Sequence, residues 1–354
     1  MVFFYHLLIP AFGLDKLPWK GGFRDFGSVG WEFWVVYPFT YGSAGVAVFF
    51  VVSGFCIHLS HSAKRNASWR EFTIRRFFRI MPPYWIAVLV FFFLLPLDSS
   101  LIWSKAGYET LGAHLIAVHN LREWWLLGIN PSFWTIAVEV QLYAIYPLLM
   151  WVVTRKGWAF ALLCTAVLEF SLRALSSYLA ITGAGQMPVF VAYSPFYFWF
   201  SWSLGAGLAE GYRRGLLPDV PAWVTWFAIA SAFASPLFVA TDPFKFPLFA
   251  VATGLVILKC LRSPSKENDS LGIAAGTLAA VGTVSYSFYL YHQPLLLHAG
   301  EALKSFVPGL ETGGLPLLVV LVGLLPIVYL VSRISYLWFE KPSNAAGKRW
   351  ATGA

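Results

Sequence analysis

Apolar residues run in blocks along this chain, and polar residues gather in short stretches between them. The blocks cover about residues 43–61, 80–97, 132–153, 157–182, 189–212, 221–241, 246–261, 276–300 and 314–339. Most approach the ~20 residues that a helix needs to cross a hydrocarbon layer of ~30 Å. The opening stretch, MVFFYHLLIPAFG, is apolar but shorter than a span, and is expected to be the outer half of a first span whose beginning is missing. No basic stretch precedes it and no A-x-A site follows, so a signal peptide is not expected. No repeat, low-complexity tract or soluble linker interrupts the pattern. The expectation is an all-α polytopic transmembrane bundle of about ten spans, with a single membrane domain over 1–342 and a short cytoplasmic tail at 343–354.

The loop charges give this bundle a direction. With the 62–79 loop in the cytoplasm, Lys64, Arg65, Arg70, Arg75, Arg76 and Arg79 fall on that side. So do Arg155 and Lys156, Arg213 and Arg214, Lys259, Arg262 and Lys266, and finally Lys341, Lys348 and Arg349. Sixteen basic residues then face seven on the other side: Lys16, Lys20, Arg24, Lys105, Arg122, Lys245 and Lys304. Arg173 and Arg333 lie inside spans. Positive charge accumulates on the cytoplasmic side of membrane proteins, so both ends are expected there, in a cytoplasmic (inner) membrane.

Composition agrees. Of 354 residues, 58% are hydrophobic and only 12% charged, against about 25% charged in soluble domains. The net charge of +8 does not point to nucleic acid, because the basic residues sit in short clusters between apolar runs. Cys56, Cys164 and Cys260 lie in or at the end of such runs with no CxxC pairing. They are expected to be small buried hydrophobes rather than a disulfide or metal framework, and no metal is expected. Two outer loops are long. Residues 13–42 hold Trp19, Trp31, Trp34 and Tyr37, and residues 98–131 hold Trp124 and Trp125. These rings read either as an interfacial belt against membrane lipids or as a platform for a sugar-like acceptor.

Ionisable groups inside spans are costly and mark candidate sites. His6, Glu139 and His292 each fall about eight residues from the outer end of their span, roughly 12 Å deep at 1.5 Å per residue. A shared site requires such a common depth. Ser132, Thr135, Glu139, Tyr143 and Tyr146 recur at spacings of three or four and share a helix face, as do Ser285, Tyr289 and His292. Interhelical hydrogen bonding is the alternative reading of such residues. In RRFFRIMPPYW, Arg75, Arg76 and Arg79 cluster at a cytoplasmic span end, and Pro82-Pro83 constrains the chain. Arginine forks suit phosphate, and a juxtamembrane basic cluster also suits topology or anionic lipid. In GSAGVAVFFVVSGF, Gly42, Gly45 and Gly54 with Ser43 and Ser53 form a small-residue surface. It reads as close helix packing or as room for a narrow ligand channel.

Taken in order, GVAVFFVVSGFCI at 45–57, RRFFRIMPPYW at 75–85, FWTIAVEVQLYAIYP at 133–147, VSYSFYLYHQPLL at 284–296 and WFEKP at 338–342 resemble the acyltransferase-3 family of integral membrane acyltransferases. That resemblance implies transfer of an acyl group, usually acetyl, from cytoplasmic acyl-CoA to a hydroxyl beyond the membrane. The acceptor is expected to be a glycan, a lipid-linked glycan or a similar molecule. It also implies that His6 matches the family's first-span histidine, and that Arg75, Arg76 and Arg79 match the basic motif linked to acyl-CoA. Ser53 and Tyr84 join them as candidates on the donor path. Two features depart from the family: a basic residue eleven positions before the histidine is not in the sequence, and Ala47 stands where many members have Asp.

The expected chemistry follows. His6 acts as general base, and Tyr143, Tyr289 or His292 donates to the forming oxyanion. Glu139 orients an imidazole or the acceptor, and the pantetheine arm passes the Gly/Ser surface. The rival reading is a transporter of a glycan or lipid-linked precursor, although no matching pair of broken spans favours it.

Overall fold

Lipid offers no partner to a backbone N–H or C=O, so a chain this apolar must satisfy its amides internally. A computed structural model describes residues 2–13, 31–63, 68–262 and 272–352. Among them every regular element is a helix. Those of ten residues or more are α1 Val2–Phe12, α2 Trp31–Thr40, α3 Gly45–Ser62, α4 Trp69–Leu89, α5 Lys105–Leu115, α6 Trp134–Thr182, α7 Trp199–Arg213, α8 Ala222–Ala234, α9 Lys245–Arg262, α10 Gly272–Thr283, α11 Ser285–Phe306, α12 Gly314–Gly323, α13 Leu325–Ser335 and α14 Lys341–Thr352.

Five helical stretches among the described residues are long and apolar enough to cross a membrane, and Val2–Phe12 and Ala222–Leu237 are shorter apolar helices. The 49-residue α6 is two helices joined across a kink at Gly157, φ +84°. Glycine takes that left-handed conformation without a Cβ clash, just after the Arg155–Lys156 pair expected to turn the chain. Proline explains the shorter elements. Pro195 opens a 3-10 turn ahead of α7, and Pro236 sits in the turn that closes α8. The apolar run expected at 276–300 is likewise two helices, parted at Val284. Lys16, Lys20, Arg24, Trp19, Lys64, Arg65 and Lys266 lie outside the described residues.

The described chain forms two compact units. The first combines residues 31–63 with 138–262. Here α3 and α7 pack backbone to backbone: a Cβ on Gly54 would stand 2.0 Å from the Trp202 carbonyl oxygen, and one on Gly205 1.9 Å from that of Val51. The small-residue surface is therefore closed by α7 at Gly54, and the channel reading fails there because a neighbouring main chain fills the space. Ala47 packs with Ala44, Ala232, Phe249 and Ala252 in an apolar cluster that suits alanine. Arg173, inside a span, donates to the Tyr197 carbonyl (2.7 Å) and pairs with Glu169 (3.4 Å), its guanidinium 3.9 Å from the Tyr197 ring centroid. Apolar side chains also point outward, as Trp223, Trp226 and Phe227 do on α8. All three cysteines are free, but they are exposed rather than buried. In lipid an outward face accepts a thiol as readily as a core does.

The second unit combines residues 3–13, 68–137 and 272–352. Prolines inside its helices leave carbonyls without their i+4 amide, and side chains take them. Pro82 frees the Phe78 carbonyl, which accepts from Ser343. Pro294 frees that of Leu290, which accepts from Asn130 Nδ2 at 3.0 Å. Residues 341–352 are a helix laid along α4, with Gly347 against the Phe78 side chain. Helix α1 seats Pro10 against Gly300 of α11.

Candidate active site

His6 and His292 meet in the second unit. The ring Nδ1 of His6 lies 2.7 Å from Nε2 of His292, with the rings stacked at 4.9 Å between centroids. His292 is fully buried, while His6 keeps a partly exposed edge. The other nitrogen of His292, Nδ1, lies 2.9 Å from the Tyr289 carbonyl. A carbonyl only accepts, so that Nδ1 carries the proton. In the neutral pair, Nε2 of His292 then accepts from the Nδ1–H of His6, which leaves the lone pair of His6 on Nε2. The network thus selects the tautomer of His6 and leaves Nε2 as its proton-accepting nitrogen.

Side chains at and just before the start of α6 bond to residues near His292 on α11. Ser132 donates to Gln293 Oε1, Thr135 Oγ1 lies 2.6 Å from the Tyr289 hydroxyl, and that hydroxyl donates to the Ser132 carbonyl at 2.9 Å. Gln293 and Asn130 were not anticipated from the sequence, although a Gln beside the histidine in an apolar run was a readable signal. Ser285 bonds within its own chain segment, to the Gly282 carbonyl.

Within the first unit Glu139 accepts two hydrogen bonds. Its Oε1 accepts from the Tyr143 hydroxyl and from Ser53 Oγ at 3.1 Å, and Ser53 in turn accepts from Trp202 Nε1 at 3.4 Å. Tyr146, on the same face of α6, meets His58 Nδ1 at 2.8 Å, and His58 Nε2 meets Glu210 at 3.1 Å. Ser53, expected on the donor path, is here a ligand of Glu139. The three proposed oxyanion donors also have their protons directed: Tyr143 to Glu139, Tyr289 to Ser132, and His292 to the Tyr289 carbonyl.

Each arginine of the basic motif has a partner. Arg75 pairs with Glu71 at 2.6 Å, one turn away. Arg79 pairs with Glu340 at 3.0 Å, and Arg76 lies over the Phe72 ring at 5.8 Å. Glu71 was legible at i,i+4; Glu340 was not, being remote in sequence. Tyr84 is buried, its hydroxyl 3.4 Å from His119 Nδ1. His119 stacks on His114 with centroids 3.9 Å apart. Both lie in the 98–131 segment. Burial lowers the pKa of His114 to about 4, and burial plus the neighbouring His114 holds His119 well below the usual value. In the same segment Arg122 lies over both Trp124 and Trp125. Among the described residues no group of three His, Cys, Asp or Glu side chains is arranged to hold a metal.

Residues 1–336 match the model of the acyltransferase-3 family, described as an acyltransferase domain. The chain belongs to this family. It is an integral membrane protein with acyltransferase relatives. It is 24% identical over 344 residues to the peptidoglycan O-acetyltransferase OatA of Listeria monocytogenes, covering 86% of this chain and 52% of that protein. To the putative peptidoglycan O-acetyltransferase YrhL of Bacillus subtilis it is 22% identical over 347 residues, covering 87% and 51%. To the exopolysaccharide production protein ExoZ of Rhizobium meliloti it is 26% identical over 259 residues, covering 72% and 76%. The chain thus spans about half the length of the first two. No solved structure matches it.

Proposed function

We propose that this protein is an acyl-CoA-dependent O-acyltransferase. It carries an acyl group, acetyl in the simplest case, from cytoplasmic acyl-CoA to a hydroxyl of a glycan or glycolipid on the outer side of the inner membrane. The hydrogen-bonded His6–His292 pair carries this reading. Nε2 of His6 takes the proton of the acceptor hydroxyl as its oxygen attacks the thioester carbonyl. The carbon–sulfur bond breaks, and the proton passes from His6 to the departing CoA thiolate. His292 is the positioning residue that holds the tautomer. Arg75, Arg76 and Arg79 take the phosphates of CoA. The names of the relatives, two peptidoglycan O-acetyltransferases and an exopolysaccharide production protein, support a glycan acceptor.

The test uses the full chain in lipid nanodiscs, with radiolabelled acetyl-CoA and extracts of surface glycan and lipid. His6→Asn is expected to abolish transfer while the protein melts as the wild type does. Wild-type transfer by this variant refutes the assignment. Glycan transport without thioester consumption by the unaltered protein identifies an exporter instead.

A further inference from the structure

The motif WFEKP at 338–342 places a carboxylate deep in the second unit. The Glu340 side chain is fully buried, at the end of a π-helical turn over Tyr336–Glu340. Its Oε2 accepts from Ser287 of α11 at 2.7 Å. Its Oε1 is 3.0 Å from the Arg79 guanidinium, yet it has no aligned hydrogen bond. A locked pair looks different: Glu210 takes Arg213 on two prongs, at 2.8 and 2.9 Å.

The Arg79–Glu340 pair is also lopsided. The arginine side chain is 41% exposed and the carboxylate 0%. Another anion can therefore reach the cation, while no other cation can reach the carboxylate. A phosphate with its several oxygens suits the planar fork better than one misaligned carboxylate oxygen. Ser287 lies on the helix that carries His292, five residues or about 7.5 Å along its axis. The π turn that carries Glu340 is a wide, rarely formed geometry frequent at functional sites.

We propose that Glu340 is a resident anion that occupies Arg79 until the donor's phosphate displaces it, and that Ser287 passes this exchange along α11 to His292. The base is then adjusted only when donor is bound. This rests on the reading of Arg79 as a phosphate ligand.

The full chain in nanodiscs is titrated with coenzyme A and, separately, with adenosine bisphosphate. Glu340→Gln, nearly isosteric and uncharged, removes the competing anion. Both probes are expected to bind about ten-fold tighter, which is about 1.4 kcal/mol. Equal or weaker binding by a folded variant overturns the proposal, since a purely structural Glu340 predicts that result. Amide exchange in the wild type gives a readout that does not depend on the variant folding. Exchange over 336–340 and 285–292 is expected to rise on addition of coenzyme A, and unchanged exchange overturns the proposal. If the wild type binds neither probe, or Arg79→Ala leaves binding intact, the donor reading itself fails and the exchange falls with it. If Arg79→Ala weakens binding and Glu340→Gln does not tighten it, only the exchange fails.

Discussion

Replacing His292 removes the acceptor of the His6 Nδ1 proton, so its effect can be worked from the 2.7 Å bond. A buried donor left without a partner costs about 1–3 kcal/mol. His6 escapes that cost by turning its ring or by moving the proton to Nε2, and either response withdraws the lone pair from the reacting position. In a serine protease triad, loss of the group that fixes the histidine tautomer lowers kcat by about 10⁴. A neutral imidazole holds a tautomer less firmly than a carboxylate does, so about 10²-fold is expected here, the low end of general-base contributions. His292→Phe should therefore lower kcat about a hundred-fold and leave the KM for acetyl-CoA within about two-fold, the signature of a contact that matters in the transition state. His292→Gln, whose amide oxygen can accept from His6, should recover part of the rate. The assay is initial-rate acetyl transfer at saturating acceptor, with melting curves as a folding control. A His292→Phe protein with wild-type kcat would refute the tautomer argument, and so would a change confined to KM.

Two further outcomes test the structural account. Gly54→Ala puts a Cβ 2.0 Å from the Trp202 carbonyl oxygen, where ordinary contact begins at 3.4 Å. Helices α3 and α7 must then part by over an ångström, and such overpacking costs about 1–3 kcal/mol. The variant should melt lower than the wild type, and an unchanged melting curve would contradict the close contact. In the 98–131 segment, burial lowers the pKa of His114 to about 4 and that of His119 well below its usual value. The unfolded segment, titrating near pH 6.5, binds more protons than the folded one between about pH 4 and 6.5. The stability from keeping these rings neutral is thus complete above about 6.5 and is lost as pH falls toward about 4, to about 3 kcal/mol for His114 alone. Amide exchange in 105–121 should quicken between pH 7.5 and 5, after correction for the intrinsic pH dependence. Corrected protection that does not change with pH would refute it.

The helical class was legible because lipid leaves a long apolar chain no other regular structure. The break within α6 was legible from the two basic residues between the apolar runs 132–153 and 157–182. Proline was harder to weigh. Pro82 and Pro83 suggested a constrained end to a helix, but α4 runs through both, since Ser343 takes one of the freed carbonyls. His6 and His292 were legible, with Glu139, as ionisable groups at a common expected depth, and the structure brings the two histidines together. Glu139 had the same expected depth, and the donors Ser53 and Tyr143 lie beside it. Depth and face follow from spacing along one helix. The identity of the neighbouring helix does not, and a buried carboxylate settles first on whatever donors that neighbour offers. The outward cysteines have a related cause. An apolar run expected to be buried in a soluble core has two acceptable sides in a bilayer, and the sequence period does not say which side a single thiol takes.

The prolines bear on the site as well as on the fold. Pro294 sits two residues after His292, in the turn where a strictly regular helix would be most useful for aiming an imidazole. Its ring withholds an amide from the Leu290 carbonyl, and in lipid an uncapped carbonyl is costly. Asn130 supplies the missing donor, while its own Oδ1 accepts from the Ser132 amide at 2.9 Å. One asparagine therefore ties the weakened turn of α11 to the segment that also carries Ser132 and Thr135. Those two residues fix Gln293 and Tyr289, the immediate neighbours of His292 and its carbonyl partner. An unbroken helix would bind its own carbonyl at Leu290 and leave Asn130 nothing to hold. The proline thus creates the vacancy through which a second segment sets the orientation of His292, and His292 in turn sets the tautomer of His6.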